Sequence, residues 1–131
     1  MAGTLVIDTL KSSTVNPPSF QNTSGTEVGQ LCRAWVNFNG VTTASIRASF
    51  NVSSVTRNGT GDYTVSFTNA MPDSSYVAAG IGRRSTAGAN ITQFEFAANS
   101  TSISTNTCQI KTFDNGNNVV DSDTVCVAFF R

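Results

Sequence analysis

Ser45-Ile46-Arg47-Ala48-Ser49-Phe50-Asn51-Val52 sets the reading of the whole chain. Ile46, Ala48, Phe50 and Val52 alternate with Ser45, Arg47, Ser49 and Asn51. Successive side chains of a strand point to opposite faces, so this segment reads as one strand with an apolar and a polar face. Tyr63, Val65 and Phe67 repeat the alternation. Between the two runs, Arg57-Asn58-Gly59-Thr60-Gly61-Asp62 reads as a β-turn, because Asn-Gly adopts positive φ at little cost.

Working outward, residues 4–10, 30–38, 76–82, 91–97, 103–112 and 124–130 are further strand candidates. No segment keeps apolar residues at i, i+3, i+4 and i+7 over three turns, so little helix is expected. The expected fold is all-β: an antiparallel β-sandwich, jelly-roll-like, of about eight strands with an extended N-terminal arm. Pro17-Pro18 cannot continue a ladder and separates the first strand from the rest. Residues 1–29 therefore read as a strand and extended linker forming an arm, and residues 30–131 as the sandwich head. Leu5, Val6, Ile7 and Leu10 make the arm apolar. Two fates stand open for it: pairing with a neighbouring subunit or larger assembly, or folding back on its own sandwich.

Around the loop Asp114-Asn115-Gly116-Asn117-Asn118, a hairpin would place Cys108 opposite Cys126. With Cys32 the cysteines number three, without C-x-x-C spacing, so neither a disulfide framework nor a zinc site is expected. Two small buried thiols are the favoured reading of Cys108 and Cys126.

Composition narrows the function classes. Eight basic and eight acidic residues cancel, and Arg83-Arg84 is the densest basic cluster. A nucleic-acid binder needs a basic stripe to displace phosphate counterions, so that partner is excluded. No apolar run has the length of a membrane span, and residues 1–10 do not form a secretory signal, which points to synthesis in a cytoplasm without membrane insertion. Ser and Thr supply 34 residues and Asn 13, giving a surface of hydroxyls and amides. Such a surface suits oligomer contacts and sugars, since burying it strands no charge.

No histidine is present, which excludes Ser-His-Asp, Cys-His and His-dependent zinc chemistry. Neither phosphate-binding glycine motif occurs. Asp62, Asp73, Asp114 and Asp121 sit beside turn residues and read as turn-capping groups, not as a glycosidase pair. Glu95, between Phe94 and Phe96, reads as the solvent side of a strand. The loop holding Asp114, Asn118, Asp121 and Asp123 departs from the calcium-loop pattern. The expectation is no enzyme, no metal and no cofactor. Arg83 and Arg84, running into Ser85, Thr86 and Asn90, offer donors to an acidic sugar or phosphate, against the plainer reading of a solvated hairpin tip. Trp35 shares its alternation with Arg33 and Asn37 and so belongs to an outer or subunit-facing side. Packing in a core or interface is the favoured role for it, and also for Phe38.

Several blocks are familiar together: Cys32-Arg33-Ala34-Trp35-Val36-Asn37-Phe38, Ile46-Arg47-Ala48-Ser49-Phe50-Asn51-Val52-Ser53-Ser54, Gly59-Thr60-Gly61-Asp62-Tyr63-Thr64-Val65 and Ala70-Met71-Pro72-Asp73. Over residues 4–82 the chain resembles the C-terminal head domain of phage tail-fibre-like and virion structural proteins of aquatic and cyanobacterial phages. The resemblance implies a trimeric β-sandwich head displayed on the virion, and it brings no catalytic residue. Relatives often carry this block after a long shaft. Here it is nearly the whole chain, which points to a short appendage.

The resulting expectation is a homotrimeric tail-fibre or baseplate appendage contacting the host surface. Its partners are itself, other tail, baseplate or capsid proteins, and host surface polysaccharide. The alternative is a capsid decoration protein anchored by its arm. Recognition falls to loops on the rigid sandwich, with Arg57, Asn58, Arg83, Arg84, Asn90 and Asn117 as the contact residues.

Overall fold

The computed structural model describes residues 3, 6–11, 18–84, 93–96 and 102–131. It is all-β, with no helix among the described residues. The chain divides into two compact units, Met1–Leu31 and Cys32–Arg131.

The first unit contains a two-stranded antiparallel ribbon, β1 (Phe20–Gln21) and β2 (Glu27–Gly29). Asn22 builds its turn: its Oδ1 accepts from the Ser24 and Thr26 amides at 3.0 and 2.9 Å, while Gly25 supplies φ +79°. Short polar side chains that bond the backbone two to four residues on favour this conformation. The ribbon lies in the stretch expected to be an extended linker. Val6, Ile7, Asp8, Thr9 and Leu10 form no strand within the chain, and residue 4 of the expected first strand lies outside the described residues. A strand needs a ladder partner, and a continuous apolar run does not supply one. Leu5 lies outside the described residues.

Among the described residues the second unit is an eight-stranded sandwich. One sheet has the order β4-β3-β10-β7 and the other β5-β6-β9-β8. The strands are β3 (Cys32–Asn39), β4 (Ser45–Phe50), β5 (Val52–Gly59), β6 (Asp62–Phe67), β7 (Val77–Arg83), β8 (Gln93–Phe96), β9 (Thr107–Phe113) and β10 (Thr124–Phe130). All pairings are antiparallel. The segment that opened the sequence reading is two strands, not one. Asn51 turns to φ +54°, ending β4 in one sheet and starting β5 in the other. Asparagine enters the left-handed region more readily than other L residues. Its amide secures the corner, donating to the Arg33 and Asn69 carbonyls and accepting from the Asn69 amide at 2.8 Å.

Between the sheets, alternate residues of four central strands interlock. Ala34, Val36 and Phe38 meet Tyr63, Val65, Phe67, Cys108, Ile110, Val125, Val127 and Phe129, with Met71 and Tyr76 from a connection. The rings pack edge to face: Phe38 on Tyr63 at 5.1 Å, and Phe67, Tyr76 and Phe129 at 5.0–5.9 Å. That geometry adds to area burial because ring edges and faces carry opposite partial charge.

Three register expectations are corrected. β9 and β10 lie in different sheets, so Cys108 and Cys126 do not face each other. Their turn does close on itself, with an isolated pairing of Phe113 with Val119, but beyond it the chain crosses the sandwich. Cys108 is fully buried, Cys32 and Cys126 are half-buried, and all three thiols are free. The β5–β6 turn takes its positive φ at Gly61, not in Asn58-Gly59, and Gly59 still pairs with Asp62. Of the expected strand over 103–112, only Thr107 onward is laddered, with Ile103 in an isolated bridge to Cys108.

Candidate functional site

Two features of the sandwich stand out, a polar clamp at one end and an apolar outer face. The clamp is centred on Asp121. Arg57 reaches it from β5 with two bonds, Nε to Oδ1 at 3.0 Å and Nη2 to Oδ2 at 2.9 Å. The Gly61 amide donates to Oδ1 at 2.8 Å, and the Tyr63 hydroxyl lies 3.2 Å away. Tyr63 also donates to the Gly40 carbonyl at 3.1 Å and accepts from the Ser122 amide at 3.4 Å. A side chain at Gly40 would overlap the Tyr63 ring. Thr112 holds the same region from below, its hydroxyl on the Val120 carbonyl at 2.6 Å. The clamp thus ties the β3–β4, β5–β6 and β9–β10 connections together.

The sequence-predicted contact residues divide accordingly. Arg57 and Asn58 belong to strand β5, not a loop. Arg57 is spent on Asp121, and Asn58 donates to Asp62 and Thr64 at 2.9 Å. Arg83 ends β7, pairs with Asp123 at 3.3 Å, and keeps 73% of its side chain exposed. Arg84 follows it, half-buried, and its charge acts on Asp114. Asn117 is exposed at the turn tip with φ +64°. Asn90 and the tip at 85–90 lie outside the described residues. The 57–62 and 114–123 segments and the root of the 83–90 segment therefore converge on one end. Two of the four aspartates expected to cap turns do so: Asp114 Oδ1 accepts from the Gly116 and Asn118 amides at 2.9 Å, and Asp73 Oδ1 from Ser75 at 2.8 Å, whereas Asp62 takes the Asn58 and Gln109 side chains and Asp121 takes Arg57 and the Gly61 amide across strands. Glu95 is exposed. Among the described residues, no group of three or more His, Cys, Asp or Glu side chains is placed to hold a metal.

These carboxylates govern the pH response. Burial pushes Asp121 up, but Arg57 and the Gly61 amide outweigh it and hold it below the ordinary value. Arg131 lowers Asp73, and Asn118 lowers Asp114. A folded-state carboxyl below its unfolded value adds stability above the unfolded pKa, and that stability is lost as pH falls through the folded one. At the other extreme, burial raises Tyr63 to about 12 and Cys108 to about 11. Groups raised on folding stabilise fully below their unfolded values, near 9 for the thiol and 10 for the phenol, and lose that contribution above them. The urea midpoint is expected to be flat through neutral pH, to fall below about pH 4, and to fall again above about pH 9. Urea titrations across pH check both limbs.

The outer face of the β4-β3-β10-β7 sheet is the second feature. One cross-strand row runs Phe50, Trp35, Ala128, Ala79, and the next runs Ala48, Asn37, Cys126, Ile81. Phe130 and Val77 pair beyond them. Phe50 is 55% exposed, Trp35 39%, and Val77 and Ile81 62% each. Sequence reasoning placed Trp35 on an outer side and Phe38 in a core or interface; the structure has Trp35 on this face and Phe38 in the core. It missed Ile81 and Val77, because β7 reads Val-Ala-Ala-Gly-Ile-Gly, which has no polar alternate to mark an outer side. Small residues along β10 lie between Trp35 and Ile81. They form the floor of a shallow trough of about 470 Å³, lined by Trp35, Asn37, Ala79, Ile81, Cys126 and Ala128. Four strands about 4.8 Å apart and about seven residues at about 3.4 Å make the face roughly 450 Å². The apolar residues on it, interrupted by Asn37, form an exposed patch of the kind that often marks an interaction site.

At the Thr124 end of the trough stand two cations. Arg47 is the extra residue of a bulge opposite Asn37-Phe38. It donates to Asn37, Thr124 and the Asp123 carbonyl. Arg83 pairs in register with Thr124. No protein-family model, curated protein or solved structure matches the chain. No helix among the described residues is long and apolar enough to cross a membrane.

Proposed function

We propose that the chain is a structural protein of a phage virion, a homotrimeric appendage of the tail or baseplate that contacts the host surface. The observation that carries this reading is the apolar outer face of the β4-β3-β10-β7 sheet. Phe50, Trp35, Ile81 and Val77 lie on it in open solvent, as on a subunit built to be covered by others. The hydroxyl- and amide-rich composition and the block resemblance of residues 4–82 support the same reading. The convergent end, with Arg84 and Asn117 around a clamped base, is the surface offered to host polysaccharide.

Immunogold electron microscopy of intact particles tests this. Label confined to the tail or its tip is the expected result. Label over the capsid moves the protein to a decoration role and removes the host-contact claim. Absence from purified particles overturns the virion reading altogether.

A further inference from the structure

We propose that the trough between Trp35 and Ile81 is the receiving site for the N-terminal arm of a neighbouring copy of this chain. This rests on the self-assembly named above and specifies the contact that makes it. Three observations point to the arm as occupant. First, both sides are uncovered and apolar: Val6 is 86% exposed, with Ile7 and Leu10 also open, and the trough's walls and floor are Trp35, Ile81, Ala79 and Ala128. Second, the sizes match. Five extended residues, 6–10, span about 17 Å, within the roughly 24 Å of the seven-residue β10 that forms the floor. Third, the charges match. Asp8 is the one acid among residues 1–11, three residues before the base Lys11, and at one end of the trough stand Arg83, on the Asp123 carboxylate, and Arg47, on the Asp123 backbone carbonyl.

Charge separates the arm from a second copy's identical face. That face would bring the Arg47–Arg83 end only another Asp123, already paired with its own Arg83, whereas the arm brings Asp8. When each copy gives an arm and receives one, it takes part in two contacts. The contact is head-to-tail, the kind that closes into a ring when the rotation per copy is that of the proposed trimer. The trough floor is made of alanines and a cysteine because larger side chains there would fill the space the arm's Ile7 and Leu10 occupy.

Sedimentation of the full chain, a deletion of residues 1–11, Ala128→Arg and Asp8→Lys tests this. Ala128 points away from the core, and a cooperative melt confirms that each variant folds. The full chain is expected to sediment as an oligomer at micromolar concentration and the three variants as monomers. Asp8→Lys combined with Arg83→Glu is expected to restore the oligomer. A labelled peptide of residues 3–11 is expected to bind the deleted chain, and at least tenfold more weakly once Ala128→Arg is added. An oligomer that survives deletion but not Ala128→Arg would overturn the arm in favour of face-to-face stacking. A monomeric full chain overturns the arm contact and the trimer together. Neither result touches the location on the particle, which the gold label reads separately.

Discussion

Phe129→Ala is expected to lower the stability of the sandwich by about 3–5 kcal/mol, measured from urea unfolding midpoints. Phe129 is fully buried on β10, with Phe67 at 5.0 Å and Tyr76 at 5.9 Å, both edge to face. Its strand is hydrogen-bonded on both sides, to β3 and β7, so the backbone cannot close over the vacancy. The loss therefore includes both transfer and cavity terms and sits at the upper end for an aromatic deletion. Phe130→Ala, one residue on and facing out, is the matched comparison. It is expected to change stability by no more than about 0.5 kcal/mol in a monomeric background. Equal effects at the two positions would contradict the inside-outside assignment of β10.

Gly61→Ala is expected to cost about 2–5 kcal/mol, read by thermal unfolding, from two sources that add. The residue holds φ +59°, a conformation that side chains disfavour. A Cβ there would also lie 2.5 Å from the Val120 carbonyl oxygen and 2.8 Å from that of Thr112. Both are backbone atoms, so relief requires moving a strand end and the connection before β10. That movement would pull the Gly61 amide off Asp121 and loosen the clamp. Gly59→Ala makes the control. A Cβ at Gly59 meets nothing within 4 Å and its φ is not positive, so the change there should be within about 1 kcal/mol.

Much of the sandwich is legible in the sequence, for a definite reason. Tyr63-Val65-Phe67 and Val125-Val127-Phe129 alternate with small polar or weakly apolar residues, and these are the strands with one face in the core. Where alternation is clean but misleading, the cause is local backbone geometry. Ser45-Val52 keeps its period straight through Asn51, because a left-handed residue changes the sheet without disturbing the pattern of residue types. Its apolar side is also largely outside, since β4 is an edge strand whose Phe50 flanks Trp35 and not the core. Pairing across the last loop failed for a related reason. The turn at Asp114–Asn118 is local and readable, but its destination depends on which sheet has room for β10, a long-range matter. The clamp was invisible as a unit. Arg57 and Asp121 are far apart in sequence, and nothing in either neighbourhood announces the other.

The pairing of β3 with β10 carries one more consequence, which concerns mechanical load. These strands are neighbours and antiparallel, with Cys32 opposite Phe130, so the first and last strands of the body begin and end side by side. Tension drawn through these two points pulls across the ladder and not along it, so the hydrogen bonds break one pair at a time in an unzipping motion. Shear, in which a whole ladder must yield at once, would need attachment at opposite ends of a strand pair. A load drawn through those two adjacent ends would peel β10 from β3 first and open the core at Phe129. A contact that loads it through the outer sheet face spreads the same force over four strands.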